Sequence, residues 1–308
     1  MQDEFDFTKP DPTFDPNSAH AARFRTAVSR YYDAETTARL FHISGKQERF
    51  AAGETLFVEN EKSGKLGLFG KNVFHRMYFI SIGEVALTRA GKPLDTIKAG
   101  EIFGDMAVIS ETPAGSTRTA TAVVKTDCIV LSLDREELQT ALAKTPDFAL
   151  MLMSVMFDRL RFVAARLATR KITTDKNIPR TAALFDGAAL ASLEQKLDRT
   201  TTMHFAAGKT IMNEGDVGTR MYIVLDGQVT IYIAGKAVES IATGGAFGEM
   251  ALIDQSPRTA SAVAETECAL LAIDRAALLT LVKTEPSAGL MILRSVTARV
   301  RNMNALLD

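Results

Sequence analysis

The chain has 308 residues, 46% of them apolar, and 36 basic against 37 acidic side chains give a formal charge of −1. That length is enough for two domains with ordinary cores, and the balanced charge lacks the cationic surplus on which binders of nucleic-acid backbones depend. With only Cys128 and Cys268 present, a disulfide framework and a zinc cluster are both excluded.

Residues 1–18 are acidic, contain proline and lack an apolar run, so they read as a flexible tail rather than a secretory or transit signal. HAARFRTAVSRYY (20–32) is a basic helical segment leading into a first domain over 19–170. Two stretches of that domain, HRMYFISIGEV (75–85) and TRTATAVVKTDCIVLSLDREEL (117–138), return later in the chain. Their copies are TRMYIVLDGQV (219–229) and PRTASAVAETECALLAIDRAAL (257–278), which marks one duplication of a whole domain. Cys128 and Cys268 thereby become a single position seen twice, each inside an apolar strand run and expected in a core.

The first unit carries two extra stretches, between Glu59 and His75 and between Asp105 and Arg118, both expected to be loops. Gly64 to Gly70 is one residue too long for the G-x-x-x-x-G-K phosphate loop, and Asn72 replaces its Ser/Thr. FALMLMSVMFDRLRFVAARL (148–167) is a helix connecting the repeats; its ten-residue apolar start is about half of what a membrane helix needs, so no membrane partner is expected. A soluble, cytoplasmic protein is the corresponding expectation. Residues 171–183 form a linker, and a second domain covers 184–308.

That domain opens on LFDGAALASLEQKL (184–197), with Leu190, Leu193 and Leu197 at helical spacing and Asp186 available as an N-cap. Gly, Asn and Asp then interrupt β-rich runs every several residues, the pattern of short antiparallel strands, with MYIVL and VTIYIA the clearest. RAALLTLVKTEPSAGLMILRSVTARVRNMNALL closes the chain as two helices broken near Pro286. The predicted fold is α+β: a small β-barrel or roll flanked by helices, twice over.

The chemistry concentrates in FGEMALIDQSPRTASA (247–262) and its altered copy FGDMAVISETPAGSTRTATA (103–122). A glycine before an acid and then MALI suggests a tight turn into one short helical turn, whose free N–H groups attract an anion. Arg258 offers a fixed fork of donors suited to phosphate. Glu249, acceptor-only when ionised, needs a donor such as a sugar hydroxyl. Together they describe a phosphate beside a ribose; an Arg–Glu salt bridge closing a loop uses the same two residues. His20, His42, His75 and His204 share no motif with a nucleophile or metal ligand, so no enzyme is expected and no metal or cofactor.

FGEMALIDQSPRTASA closely resembles the phosphate-binding cassette of the cyclic nucleotide-binding domain family, and NEGDVGTRMYIVLDGQV (213–229) resembles the turn and strand that precede it there. The resemblance covers about 36–165 and 188–305. It implies, in each repeat, an eight-stranded antiparallel β-roll of jelly-roll type with N- and C-terminal helices, and cAMP or cGMP as ligand. In the second repeat it implies a site made by Phe247, Gly248, Glu249, Met250, Ala251, Pro257, Arg258, Thr259 and Ala260. Glu249 would accept from the ribose 2′-OH, Arg258 would bind an exocyclic phosphate oxygen, and the backbone at Gly248, Met250 and Ala260 would line the phosphate. Gly227 matches the strand-turn glycine. Thr259, like Thr119, resembles the residue that meets a guanine amino group in cGMP-binding relatives, though related domains with Thr there also take cAMP. Phe157, Phe162, Arg299 and Arg301 are candidates to cover the purine.

In the first repeat the corresponding residues are Phe103, Gly104, Asp105, Met106, Ala107, Arg118, Thr119 and Ala120. Asp105 is one methylene shorter than the family's Glu, and four inserted residues lengthen the path to Arg118. The nucleotide is therefore expected chiefly in the second repeat, the first being either a second binder, a degenerate packing domain or a site for another phosphorylated ligand such as a cyclic dinucleotide. The tandem order resembles that of regulatory subunits of cAMP-dependent protein kinase. Neither a helix-turn-helix nor the R-R-x-A/S inhibitor sequence is expected, since the chain ends soon after Asp274 and 20–32 lacks paired arginines. The implied role is a regulatory sensor acting on an unidentified protein partner, with a homodimer compatible; the alternatives are a scaffold with degenerate sites or a sensor of another phosphorylated ligand such as a cyclic dinucleotide.

Overall fold

The computed structural model describes residues 29, 31–63, 75–110, 116–169, 180–181, 183, 185–187, 190, 202–254 and 257–305. The expected tail, most of the basic segment, both inserted loops, most of the linker and most of the 184–197 helix lie outside the described residues. By its internal contacts the chain divides into two compact units, with the boundary between Met151 and Leu152.

In the first unit helix α1 (Ala34–Ser44) starts at Asp33, whose carboxylate accepts from the Thr36 N–H at 2.7 Å. Strands β1 (Lys46–Phe50), β2 (Thr55–Phe57), β3 (Met77–Ile82), β4 (Glu84–Arg89), β5 (Lys92–Lys98) and β6 (Ile102–Phe103) follow. The short helix α2 (Asp105–Ile109) then precedes β7 (Thr121–Val124) and β8 (Cys128–Leu133). These eight strands make two antiparallel sheets, ordered β1-β8-β3-β6 and β2-β7-β4-β5. Inward side chains from both, among them Phe57, Tyr78, Ile80, Val85, Phe103 and Val130, fill the core between them. Helix α3 (Arg135–Lys144) begins with a complete capping box, Asp134 and Glu137 each accepting from the other's backbone. Helix α4 (Asp147–Thr169) comes next.

The second unit begins with the last part of α4 and a two-residue strand β9 (Arg180–Thr181) within the expected linker. Its roll consists of β10 (Thr202–Phe205), β11 (Thr210–Met212), β12 (Arg220–Asp226), β13 (Gln228–Ile233), β14 (Lys236–Ala242) and β15 (Ala246–Phe247), then α5 (Met250–Asp254), β16 (Ser261–Ala264) and β17 (Cys268–Asp274). The sheets repeat the first unit's order, β10-β17-β12-β15 and β11-β16-β13-β14, with β9 added in parallel beside β14. Helices α6 (Arg275–Thr284) and α7 (Pro286–Ala305) meet at 116°, with Pro286 in the first helical position where its missing N–H costs nothing.

The duplication extends to irregularities. Register shifts fall at Thr55/Phe57 and Thr210/Met212, at Leu87/Thr88 and Ile231/Tyr232, and at Ile80/Ile82 and Val224/Asp226. Gly83 (φ +99°) and Gly227 (φ +92°) make equivalent left-handed turns over buried Cys128 and Cys268, where an added Cβ would come 2.5 and 2.7 Å from the thiol sulfur. Both cysteines are core residues, as their strand context predicts.

Candidate functional site

At the end of β15 the chain turns through Gly248 (φ +79°) into the single helical turn of α5. A Cβ at Gly248 would lie 2.8 Å from Arg258 Nη1, so both the backbone angle and the space demand glycine. Leu252 N–H returns to Glu249 O at 3.2 Å, and the N–H groups of the preceding residues in this first turn have no intrahelical acceptor.

Arg258 arrives from the other side, just before β16. Its backbone is pinned to the 213–216 turn, with Gly215 N–H donating to Arg258 O and Arg258 N–H donating to Asp216 O, both at 2.8 Å. The side chain is buried at 7% exposure; Nη1 donates to Gly248 O at 2.6 Å and Nη2 to Arg220 O. Burial lowers its pKa from the ordinary arginine value, while Tyr222, Glu249 and Asp216 pull the other way. Gly218 leaves the room: a side chain there would strike the guanidinium.

Glu249 is 2% exposed. One carboxylate oxygen, Oε1, accepts from Arg299 Nη1 on α7, while Oε2 is buried without a hydrogen-bond partner. Arg299 also ion-pairs through Nε with Glu239 Oε2 on β14 at 2.7 Å and donates from Nη2 to Ala246 O at 2.7 Å. Burial alone would lower the pKa of Arg299, but the two carboxylates outweigh it and hold the pKa above the ordinary arginine value. A buried cation serving two buried anions is the arrangement that makes each affordable.

These groups line a cleft that opens to solvent. Of the residues named from sequence for this repeat, Phe247, Gly248, Glu249, Met250, Ala251, Arg258, Thr259 and Ala260 line it. Pro257 does not; it is exposed and bridges Val217. Thr259 Oγ1 sits 3.6 Å from Met250 Sδ on the wall. Of the four purine-covering candidates only Arg299 reaches the cleft, and it is spent on Glu249 and Glu239. Phe157 is fully buried, Phe162 lies 5.7 Å from the Arg166 guanidinium, and burial lowers the pKa of Arg301. Sequence reasoning missed Met212, Glu239 and the wall supplied by Leu160 and Ala164 of α4. One available signal was the repeat register, which pairs Glu239 with Asp95 and Arg299 with Arg159.

The first repeat builds the same grip. Gly104 (φ +72°) opens α2, Asp105 is 2% and Arg118 4% exposed, and Arg118 donates to Gly104 O at 3.1 Å and Arg76 O at 2.8 Å. Phe103 stacks on Tyr78 with ring centroids 5.1 Å apart, Ala107 and Ala120 are buried, Met106 is half-buried and Thr119 exposed. The difference lies over the guanidinium: the Phe57 ring covers Arg118, centroid to Cζ 3.9 Å. Among the described residues no group of three or more His, Cys, Asp and Glu is arranged to hold a metal ion.

The cyclic nucleotide-binding domain model matches residues 47–145 and 202–285, more than half of the chain. The chain is 30% identical over 190 residues to a cAMP-dependent protein kinase regulatory subunit of Emericella nidulans, covering 60% of this chain and 40% of that protein. It is 28% identical over 191 residues to the protein of the same name from Eremothecium gossypii, covering 62% and 36%. A cGMP-dependent protein kinase of Plasmodium berghei is 25% identical over 222 residues, covering 71% and 22%. The chain thus spans less than half the length of these relatives. With two matched segments that coincide with the two rolls, the chain belongs to the cyclic nucleotide-binding domain family and carries two of its domains in tandem.

Proposed function

We propose that this chain is a non-enzymatic sensor of cAMP or cGMP that holds the nucleotide chiefly in its second domain and signals to a protein partner through its helices. The observation that carries this reading is Glu249 Oε2, a buried acceptor without a donor, lining the same cleft as the buried guanidinium of Arg258. A buried orphan of this kind costs about 1–3 kcal/mol, which a ligand hydroxyl removes on binding. In the bound state the ribose 2′-OH donates to Glu249 Oε2, and Arg258 together with the first-turn N–H groups of α5 faces the phosphate. Similarity to a cAMP-dependent protein kinase regulatory subunit and to a cGMP-dependent protein kinase favours this ligand class.

The output follows from Arg299. It ties α7 to the carboxylate that would grip the ribose and to Glu239 on β14, so a change at Glu249 acts on the helix directly. Leu160 and Ala164 give α4 a share in the same cleft. Occupancy shifts the helices only as far as the nucleotide's differential affinity for their positions allows. No single described helix is long and apolar enough to cross a membrane.

Calorimetric titration of the chain with cAMP and with cGMP tests the reading. Saturable heat with at least one of them, abolished by Arg258→Ala, is expected; no heat from the unaltered chain with either would leave a scaffold of two ligand-free domains.

A further inference from the structure

We infer that Phe57 is the residue that closes the first domain to cyclic nucleotide, a plug seated where the second domain keeps Met212. This rests on the reading that these cassettes hold the nucleotide phosphate. Phe57 and Met212 occupy one structural position: each ends the second strand of its roll, each follows a register shift, and each pairs with the alanine of a TAV or SAV strand, Ala122 or Ala262. The outcomes differ. Met212 is half-buried and lines the open cleft beside Arg258. Phe57 is 6% exposed and part of the core.

Three contacts fix the ring there. Its face lies 3.9 Å from Arg118 Cζ, a cation–π arrangement that occupies the guanidinium surface. Its centroid is 6.2 Å from that of Tyr78 and 6.1 Å from that of Phe103, at interplanar angles of 23° and 31°, completing a three-ring cluster. Its Cε1 would be 3.4 Å from a Cβ on Gly104, so the ring also lies against the turn that precedes α2. An anion approaching that turn and Arg118 together meets an aromatic face instead of open space.

The arginine's anchor beneath the plug is intact. Arg118 is anchored on Gly104 O and Arg76 O as Arg258 is on Gly248 O and Arg220 O. Closure is therefore assigned to the side chain at position 57 and not to loss of the arginine or the turn. Methionine is unbranched and adaptable, so Phe57→Met withdraws the ring while keeping a strand-compatible apolar residue.

Titration of the full chain with cAMP and cGMP decides the matter. The unaltered chain is expected to bind one nucleotide and Arg258→Ala none. Phe57→Met is expected to bind two, Phe57→Met/Arg118→Ala one, and Phe57→Met/Arg258→Ala one, now at the first domain. Phe57→Leu serves as a second probe, and a thermal melt close to that of the unaltered chain establishes that each variant is folded. Folded Phe57→Met and Phe57→Leu that still bind only one nucleotide overturn the proposal, as does an unaltered chain that binds two, one lost in Arg118→Ala. If the unaltered chain binds none, the reading of the second domain fails by itself; a site gained in Phe57→Met/Arg258→Ala and lost on adding Arg118→Ala would still uphold the plug.

Discussion

The two repeats share a strand order, their register shifts, a cysteine beneath a left-handed glycine and an arginine held on two carbonyls, yet they surround that arginine differently. In the second, Met212 and the α7 residues Arg299 and Met303 border an open cleft; in the first, the Phe57 ring lies over the guanidinium and against the glycine turn. In both repeats the arginine is satisfied by the protein's own carbonyls. On the proposal made above, a single apolar side chain on a neighbouring strand separates the open from the closed cassette.

The largest effect is expected from the cluster that the second repeat assembles around Arg299. Arg299→Ala leaves Glu239 and Glu249 buried without their cation, and removing one partner of such a group costs about 3–5 kcal/mol. Calorimetric melting should show the second domain's transition lowered, with the first domain's unmoved. Next comes Arg258→Ala, which removes the phosphate's charged donors and should weaken nucleotide binding by about a hundredfold or more in a titration, given about 1.5–3 kcal/mol for each charge-assisted hydrogen bond.

Met212→Phe would give the second cleft the first domain's plug; overpacking of about 1–3 kcal/mol in the occupied cleft translates into roughly a tenfold or larger loss of affinity. An alkaline titration sharpens the contrast least but independently. Burial raises the pKa of Tyr32, whose hydroxyl donates to Gly100 O, with the Thr37 hydrogen bond opposing; burial also raises that of Tyr78, with Arg118 opposing. A raised folded-state pKa means stability that is complete below the ordinary tyrosine value of 10.0 and is lost as pH rises above it. Above about pH 10 the first domain should therefore melt progressively earlier, and Tyr32→Phe should reduce that loss.

Much of this was legible before any coordinates. The alternation of short apolar runs with Gly and Asn/Asp marked the strands, and matching TRMY against HRMY and PRTA against TRTA revealed the duplication, since local pattern and repetition are properties of the chain alone. Eight of the nine residues named for the second cassette came together because a turn, a short helix and one strand place them in sequence order. Contacts made at a distance were not legible. Sequence names Arg299 only as a candidate purine cover, because only the packing of α7 brings it to Glu249, fifty positions earlier in the chain. The aligned repeats set Phe57 against Met212, but the sequence alone does not show that the ring lies over Arg118. The two-residue strand β9 gave no signal, being too short for any periodicity.

The most direct measurement is a crystal structure of the chain grown with excess cAMP or cGMP. The account predicts a nucleotide in the second domain, a phosphate oxygen within hydrogen-bonding reach of Arg258 and the ribose hydroxyl on Glu249 Oε2. An empty second cleft, filled by its own side chains while the arginine keeps only Gly248 O and Arg220 O, would contradict it.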